Sequence, residues 1–324
     1  MSNGKAPPGV EPDVTDRTRP EHDDPTRYEA LAGFETGFRD LWWNSDFLAL
    51  NARRFGTGQA RAVLDVGCGT GEWGRRVIRD LAPDASLTGV DRVPEFLETA
   101  RARAEQLGRE GDRFVEGTAE ALPFENDRFD LVTAQTVLMH VRDAATVVAE
   151  MVRVTRPSGV VLLAEPDNLA GNLAQLGGEP TLGDEDVLAI TALLLACHRG
   201  KAALGEGDER VGAKLPGLLT AAGLRDVAAY TNDRCMSLVP PYDAPDQRLA
   251  LQTERAWIRD GVSMLVASRG DARRLALAGG WDEARFDGGW AAMQRWMQSV
   301  DEGTQAGRYH ATRGFMMVLA GGRV

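Results

Sequence analysis

The stretch that decides the fold is Val63-Leu64-Asp65-Val66-Gly67-Cys68-Gly69-Thr70-Gly71. Its first four residues are strand-like, and glycine then occupies every second position. A helix with apolar periodicity opens at Glu72, directly after this loop. Glycine lets the backbone turn tightly and lets a ligand approach it, and the free N–H groups of a helix N-terminus attract a carboxylate or phosphate. The stretch therefore predicts a cradle for a small anionic group.

Two classes of cofactor suit this cradle. The segment 69–74 has the glycine spacing of a dinucleotide site, and Asp91 lies about 20 residues on, where an acid binds a ribose. Asp65, two residues before Gly67, favours a different ligand, because a fixed carboxylate repels a pyrophosphate and attracts an ammonium group. S-adenosylmethionine carries an ammonium beside its carboxylate, together with a ribose for Asp91.

The stretch resembles motif I of the class I S-adenosylmethionine-dependent methyltransferases, in which an acid precedes three alternating glycines. The resemblance covers residues 60–165 well and the final strands loosely. It implies that Asp65 lies near the methionine amine, that Asp91 accepts hydrogen bonds from both ribose hydroxyls, and that Arg92 flanks the adenine. The glycines that would lie under the methionine portion are Gly67, Gly69 and Gly71.

Two later segments extend the resemblance. Residues 117–120 resemble the adenine-binding turn, in which Ala119 matches the family pattern and Thr118 replaces the usual aspartate. The Thr118 hydroxyl can still accept a hydrogen bond, although a capping role is the alternative. By the same resemblance, Ala134 and Gln135 fall where the methyl group is presented.

The alternation of strands and helices predicts the fold class. Short apolar strands between helices indicate an α/β, doubly wound parallel sheet covered on both faces, with the ligand at the carboxyl ends of the strands. The resemblance implies a Rossmann-like, mostly parallel sheet of seven strands with an antiparallel last strand. The expected strands lie at 63–66, 86–90, 113–116, 129–134, 160–164, 227–230 and 315–319.

The remaining segments predict additions to this core. Asp24-Pro25 is typical of a helix start, residues 171–183 have a loop-like composition, and Asp184 opens an apolar helix. We expect Tyr28, Trp42 and Trp43 to pack against the sheet, with a lid over the cofactor as the alternative. The expected divisions are a disordered tail (1–24), an N-terminal helical lid (25–60), a cofactor-binding core (61–168 and 206–238), helical cap insertions (169–205 and 239–306) and a final core strand (307–324).

Composition narrows the choice of partners. The 324 residues carry a net charge of −11 without a block of clustered Lys and Arg, so nucleic acid is not an expected partner. Three cysteines without paired metal-ligand spacing favour a reduced cytoplasmic setting. No signal peptide is visible, and the longest apolar run, Val187–Cys197, is too short to span a membrane.

The candidate catalytic bases are few. Methyl transfer by in-line displacement mainly requires alignment and exclusion of water, and a weak nucleophile also requires a base within hydrogen-bond reach. His140 follows the fourth strand, whereas Tyr309 and His310 lie near the expected cap, with His198 and Tyr230 as further options. A packing role is the alternative for each of them.

The sequence as a whole predicts an enzyme that methylates an O, N or C nucleophile of a small molecule. Glu165 and Asp167 orient a substrate or hold a metal in one interpretation, but a lone Glu-x-Asp is weak metal evidence, so we expect no metal. Trp290, Met293 and Trp296 line an apolar pocket or form the core of the cap. The alternatives are methylation of a protein, peptide or RNA, an NAD-dependent oxidoreductase, and a non-catalytic cofactor-binding subunit. The oligomeric state stays open, with a homodimer through the aromatic insert as one arrangement.

Overall fold

The computed structural model describes residues 38–259, 261–263, 265 and 267–324. The expected tail over residues 1–24, most of the expected helix from Asp24 and the side chain of Tyr28 lie outside them. Ten α-helices occur in the described part of the chain: α1 (Ser45–Phe55), α2 (Glu72–Asp80), α3 (Pro94–Gln106), α4 (Ala144–Val154), α5 (Asn168–Gln175), α6 (Asp184–Ala203), α7 (Leu215–Ala221), α8 (Pro245–Arg259), α9 (Arg269–Ala278) and α10 (Glu283–Gln305).

Seven strands form one sheet in the order β3-β2-β1-β4-β5-β11-β6. These strands are β1 (Ala62–Val66), β2 (Ser86–Asp91), β3 (Arg113–Glu116), β4 (Phe129–Gln135), β5 (Thr155–Pro166), β6 (Arg225–Thr231) and β11 (Met317–Arg323). Strand β11 runs antiparallel to both of its neighbours, β5 and β6, and the pairs among β1 to β5 are parallel. The predicted mostly parallel, seven-stranded Rossmann-like sheet is confirmed.

Two short strand pairs lie outside this sheet. Strand β7 (Met236–Leu238) pairs with β10 (Ala311–Arg313), and β8 (Val262–Ser263) pairs with β9 (Ala267–Ser268). The apolar C-terminal stretch therefore enters two different sheets, because β10 ends at Arg313 and β11 begins only at Met317.

Helices cover both faces of the large sheet, which explains the uninterrupted apolar strands. One face packs against α1, α2 and α3 and the other against α4 and α7, each through its own apolar cluster. In β1 the side chains of Val63, Leu64 and Val66 are fully buried, since they alternate between these two clusters.

The aromatic pair before α1 belongs to the first of these clusters. Trp43 is 1% exposed, stacks on Phe47 with ring centroids 5.8 Å apart and lies 5.7 Å from the ring of Trp73. Trp42 is also buried, with its ring 5.5 Å from that of Phe315. These contacts agree with the interpretation that both tryptophans pack against the sheet.

The expectation of a loop from residue 171 is wrong at its start. Gly171 lies inside α5, whose N-terminus is capped by the Asp167 carboxylate accepting from the Ala170 amide. A methyl group at Gly171 would lie 3.1 Å from the backbone nitrogen of Met316. Glycine therefore serves close packing here, although its low helix propensity suggested a loop.

A third apolar cluster, called the cap cluster, is built mainly by α6, α9 and α10, which pack against one another. Its largest buried side chains include Leu193, Leu194, Phe286, Trp290, Met293, Trp296 and Tyr309. Because Trp290, Met293 and Trp296 are between 0% and 4% exposed, their burial supports the interpretation that they form cap core. Within the described residues, no helix is both long and apolar enough to cross a membrane.

Candidate functional site

The glycine loop between β1 and α2 adopts left-handed backbone at all three alternating glycines. The φ angles of Gly67, Gly69 and Gly71 are 66°, 51° and 81°. A Cβ atom at Gly67 would lie 2.5 Å from Cγ2 of Val137, which is closer than real contacts allow. Glycine is therefore required at residue 67 both by backbone conformation and by the approach of the segment after β4.

Asp65 presents a buried carboxylate beside this loop. The residue is 1% exposed, and neither carboxylate oxygen has a hydrogen-bond partner within the described part of the chain. Burial raises the pKa of Asp65 to about 8, and the negative charge of Asp91 adds to the rise. The Gly74 amide is near enough to oppose this rise, although it falls outside hydrogen-bond geometry, and Arg39 and Arg75 also oppose it. A buried acceptor without a donor is costly, so this site is suited to a cationic donor from a ligand.

Asp91 connects β2 to the glycine loop. Its Oδ2 accepts a hydrogen bond of 2.8 Å from the amide of Gly69, and its Oδ1 accepts one of 3.0 Å from the amide of Val93. Burial raises the pKa of Asp91, whereas these amides lower it. Since each carboxylate oxygen has two lone pairs, these contacts leave acceptor capacity for a ligand hydroxyl.

Gln135 has a buried amide donor that complements the buried acceptor of Asp65. It is 5% exposed, and its Nε2 donor has no acceptor in the described part of the chain. Thr133 pairs with Asp65 in the register of β4 against β1. Because side chains alternate along a strand, Gln135, two residues beyond Thr133, faces the same side of the sheet as Asp65. A buried donor and a buried acceptor without partners therefore lie on one face at the carboxyl ends of adjacent strands.

The proposed adenine side is more open. Arg92 and Thr118 are exposed, and Ala119 is half-buried. The Gly117 amide donates to the backbone oxygen of Asp91 over 3.0 Å, and Thr118 forms an isolated bridge with Ala121. The backbone therefore brings the turn at residues 117–121 directly beside the end of β2.

The carboxylates of Glu165, at the end of β5, and of Asp167, directly after β5, bind backbone amides. Glu165 is fully buried and accepts from the amides of Val137, Leu138 and Met139 over 2.8, 2.9 and 3.3 Å. Burial raises the pKa of Glu165 to about 7, against the lowering effect of these amides and of Lys201. As Asp167 caps α5, both side chains have structural partners. Within the described residues, no group of three or more His, Cys, Asp or Glu is arranged to hold a metal ion.

His140 ends a short 3-10 turn, Leu138–His140, directly after β4. Glu209, which the sequence did not single out, carries a negative charge close enough to His140 for the imidazole to help lower the Glu209 pKa. Burial raises that pKa, but Lys201 and then His198 and His140 outweigh it and bring it to about 2. Glu209 forms an ion pair with Lys201 and accepts a hydrogen bond from Asn168.

His198 belongs to the same charged group. It is 7% exposed, and burial lowers its pKa, although the charge of Glu209 opposes that shift. Its Nδ1 has no hydrogen-bond partner among the described residues. Sequence reasoning missed this group because its members come from α6, from the loop before α7 and from the turn after β4.

Tyr309 and His310, neighbours in the cap region, differ in exposure. Tyr309 is 3% exposed, lies in the cap cluster and accepts a hydrogen bond of 2.9 Å from Arg313. Burial raises the Tyr309 pKa, although Arg313 lowers it. His310 is exposed and lines a groove of about 440 Å³ beside Glu179. Neighbouring positions in the sequence thus do not place these two side chains in one site.

A buried ion pair accounts for the environment of Tyr309. Arg313, 4% exposed, donates to Glu254 over 3.0 Å and to Gln175 over 3.2 Å. Its guanidinium also lies 5.4 Å from the ring centroid of Trp296. These contacts join α5, α8, α10 and β10, and a local sequence pattern gives no signal for them.

Residues 58–208 match a family model described as a methyltransferase domain. The matched segment contains the glycine loop and the three buried or half-buried polar residues Asp65, Asp91 and Gln135. This segment is therefore similar to methyltransferase domains. It also contains Glu165 and His140, which lie at the end of β5 and in the turn after β4.

Curated relatives match part of the chain. The demethylmenaquinone methyltransferase of Lactococcus lactis subsp. lactis is 34% identical over 126 residues, which are 39% of this chain and 48% of that protein. The demethylmenaquinone methyltransferase of Geobacillus stearothermophilus is 32% identical over 127 residues, which are 39% of this chain and 53% of that protein. The chain therefore spans about half the length of the curated relatives it matches.

A solved structure resembles the chain over a longer range. It is phosphoethanolamine N-methyltransferase 2 of Haemonchus contortus in complex with S-adenosyl-L-methionine. The match spans 92% of this chain and 58% of that chain. The identity is 15% and the TM-score is 0.48.

Proposed function

We propose that this protein is an S-adenosylmethionine-dependent methyltransferase that moves a methyl group to an O, N or C nucleophile of a small molecule. The observation that carries the proposal is the buried Asp65 carboxylate, which has no donor and lies beside three left-handed glycines at the end of β1. A zwitterionic amino-acid group would supply an ammonium to Asp65 and a carboxylate to the orphan Nε2 of Gln135. The matched methyltransferase domain supports the same cofactor.

The proposed cofactor contacts follow from these side chains. The cofactor supplies an electrophilic sulfonium methyl group when it is bound. In this proposal Asp65 accepts from the ammonium group, Gln135 donates to the carboxylate, and Asp91 accepts from the ribose hydroxyls. The glycine loop formed by Gly67, Gly69 and Gly71 lies under the methionine portion. Arg92, Thr118 and Ala119 contact the adenine.

The protein's own contribution to the reaction is alignment and exclusion of water. The buried Trp42 and Trp43 close the sheet face on which Asp65 lies. His140 is the base that we favour, because it lies in the turn after β4 and close enough to Glu209 to help lower the Glu209 pKa. Tyr309 and His310 stay secondary candidates, since one is enclosed by the cap cluster and the other is exposed.

We propose a small molecule as acceptor because the chain carries a cap of its own. Helices α6, α9 and α10 form a separate apolar cluster, which favours an enclosed substrate over an open groove for a polymer. The acceptor in the names of the curated relatives is not proposed for this chain, since each match spans only 39% of it. The proposed divisions are the lid at 25–60, the core at 61–168, 206–238 and 307–324, and the cap at 169–205 and 239–306.

The proposed setting is cytoplasmic, without a nucleic-acid partner and with a homodimer as one arrangement of the chain. Cys68, Cys197 and Cys235 are all free thiols, and two of them are buried. Free thiols without disulfides suit a reducing compartment.

Thermal unfolding with added ligands tests the proposal. S-adenosylhomocysteine should raise the melting temperature, because a ligand that binds only the folded state stabilises it, and NAD(H) should not. Transfer of labelled methyl from the cofactor to pooled metabolites then identifies the acceptor class. Absence of S-adenosylhomocysteine binding in calorimetry would rule out the proposed function.

A further inference from the structure

We propose that Glu165 is a positioning residue for the cofactor site, where it holds the turn after β4 so that Val137 braces the glycine loop. The inference rests on the proposed methyltransferase function, because it concerns the same cofactor site. Glu165 lies at the end of β5, in the pair Val318↔Glu165 of the β11 ladder, and its side chain is fully buried.

The Glu165 carboxylate binds three consecutive backbone amides. Its Oε1 accepts from Val137 over 2.8 Å and from Leu138 over 2.9 Å, while its Oε2 accepts from Met139 over 3.3 Å. The turn at Leu138–His140 is too short to satisfy these amides internally. One side chain from β5 therefore fixes the path of the segment that leaves β4.

The held segment contacts the glycine loop through Val137. A Cβ at Gly67 would lie 2.5 Å from Cγ2 and 3.3 Å from Cγ1 of Val137, so the isopropyl group rests directly on the Gly67 backbone. Preceding Val137, Thr136 has a left-handed φ of 54° and donates its amide to the Ala164 oxygen over 3.0 Å. Movement of the turn would therefore displace the Val137 side chain, against which the glycine loop packs.

The geometry requires a carboxylate in particular. Three donors converge on two acceptor oxygens, and the site is closed to water that would replace a lost acceptor. Glutamine keeps the shape but places an NH₂ donor opposite one of the backbone amides. Burial raises the pKa of Glu165 to about 7, and Lys201, from the side of α6, opposes that rise. His140 and Glu209 are the other titratable groups near this turn.

The test compares Glu165→Gln with Asp130→Asn. Asp130 is a matched control, because its Oδ2 also accepts from two backbone amides, those of Arg61 and Ala62, each over 2.9 Å. It lies near the start of β4, at the opposite end of the strand from Gln135. We expect Glu165→Gln to weaken S-adenosylhomocysteine binding about tenfold, as for a hydrogen bond to a charged group. Asp130→Asn should leave that dissociation constant within about twofold, even where it lowers stability.

A second variant tests the route through Val137. Val137→Ala removes the methyl groups that touch Gly67 and should weaken S-adenosylhomocysteine binding about fivefold, as contacting residues couple by up to a few kcal/mol. The double variant with Glu165→Gln should bind about as weakly as Glu165→Gln alone, because both changes release the same contact. Affinity losses that add in full would overturn the proposed route.

The outcomes separate the two proposals. If the wild-type protein does not bind S-adenosylhomocysteine, the proposed function fails. If the wild type binds and Glu165→Gln binds like Asp130→Asn, the function stands and the role of Glu165 is overturned. Should Glu165→Gln not fold, Val137→Ala alone decides, since unchanged affinity in that variant contradicts the brace.

Discussion

Asp65 and Gln135 lie on the same face of the sheet, in the adjacent strands β1 and β4, and the Asp65 carboxyl oxygens and the Gln135 amide nitrogen are buried without a hydrogen-bond partner in the described part of the chain. One offers two acceptor oxygens, and the other offers a donor. Native proteins rarely leave such groups unsatisfied in their interiors. The pair is the basis of our proposal that the bound ligand brings an ammonium and a carboxylate together.

Cofactor binding should release a proton from Asp65. The pKa of about 8 keeps most of this carboxyl protonated at pH 7, whereas an ammonium ligand requires the ionised form. Binding of S-adenosylhomocysteine should therefore strengthen by up to about tenfold per pH unit as pH rises towards 8. Calorimetry at pH 7 in two buffers of different ionisation enthalpy measures the proton. Asp65→Asn should remove the proton that Asp65 releases on binding. Release of the same number of protons by the wild type and by Asp65→Asn would contradict the assignment of the proton to Asp65.

The stability of the free protein should fall between pH 6 and 8. The folded-state pKa values of Asp65 and Glu165 are raised to about 8 and about 7, so the folded state binds more protons than the unfolded chain in this range. Their contribution is therefore complete below the unfolded pKa values and is lost as pH rises through the folded ones. The loss should be on the order of 1 kcal/mol per pH unit for each carboxyl that is titrating. Urea unfolding at pH 6, 7 and 8 measures it, and Asp65→Asn should flatten the curve. A rise in stability over the same range would contradict the prediction.

Gly67→Ala should damage the cofactor site beyond its effect on the backbone. Gly67 and Gly108 both have a φ of 66°, but a Cβ at Gly108 meets nothing within 4 Å, whereas at Gly67 it meets Val137. Each alanine should cost about 1 to 2 kcal/mol of unfolding free energy for the left-handed backbone. Gly67→Ala should in addition abolish measurable S-adenosylhomocysteine binding in calorimetry. Equal affinity in the two variants would show that crowding at Gly67 is unimportant.

Lys201→Met should be strongly destabilising. Lys201 is 4% exposed, and its loss leaves the Glu209 carboxylate, whose side chain is only 17% exposed, without its ion-pair partner. Removing one partner of a buried pair costs about 3 to 5 kcal/mol. Arg273→Met serves as the control, because the pair between Arg273 and Glu283 is about half exposed and should lose about 1 kcal/mol or less. Urea unfolding at pH 7 compares the two variants, and similar losses would mean that Glu209 is well solvated.

The sequence by itself determined the core of this protein. The glycine loop, the acid at Asp65 and the alternation of apolar strands with helices act through local backbone preference and side-chain period, which need no distant partner. The expected strand at 113–116 has the bounds of β3, and the expected bounds of β1, β2 and β4 each differ by one residue at one end. The assignment of the ligand contacts at Asp65 and Asp91 stays a prediction.

Only the tertiary structure decided which polar groups are satisfied. Glu165 looked like a substrate or metal ligand, yet it accepts three amides from the segment after β4. Tyr309 looked like a base, yet Arg313 and the cap cluster enclose it. Burial, loss of hydration and charge pairing depend on segments far apart in the chain, such as Lys201 and Glu165. A local sequence pattern does not predict these contacts, because they form only when the cap and the loops fold onto the sheet.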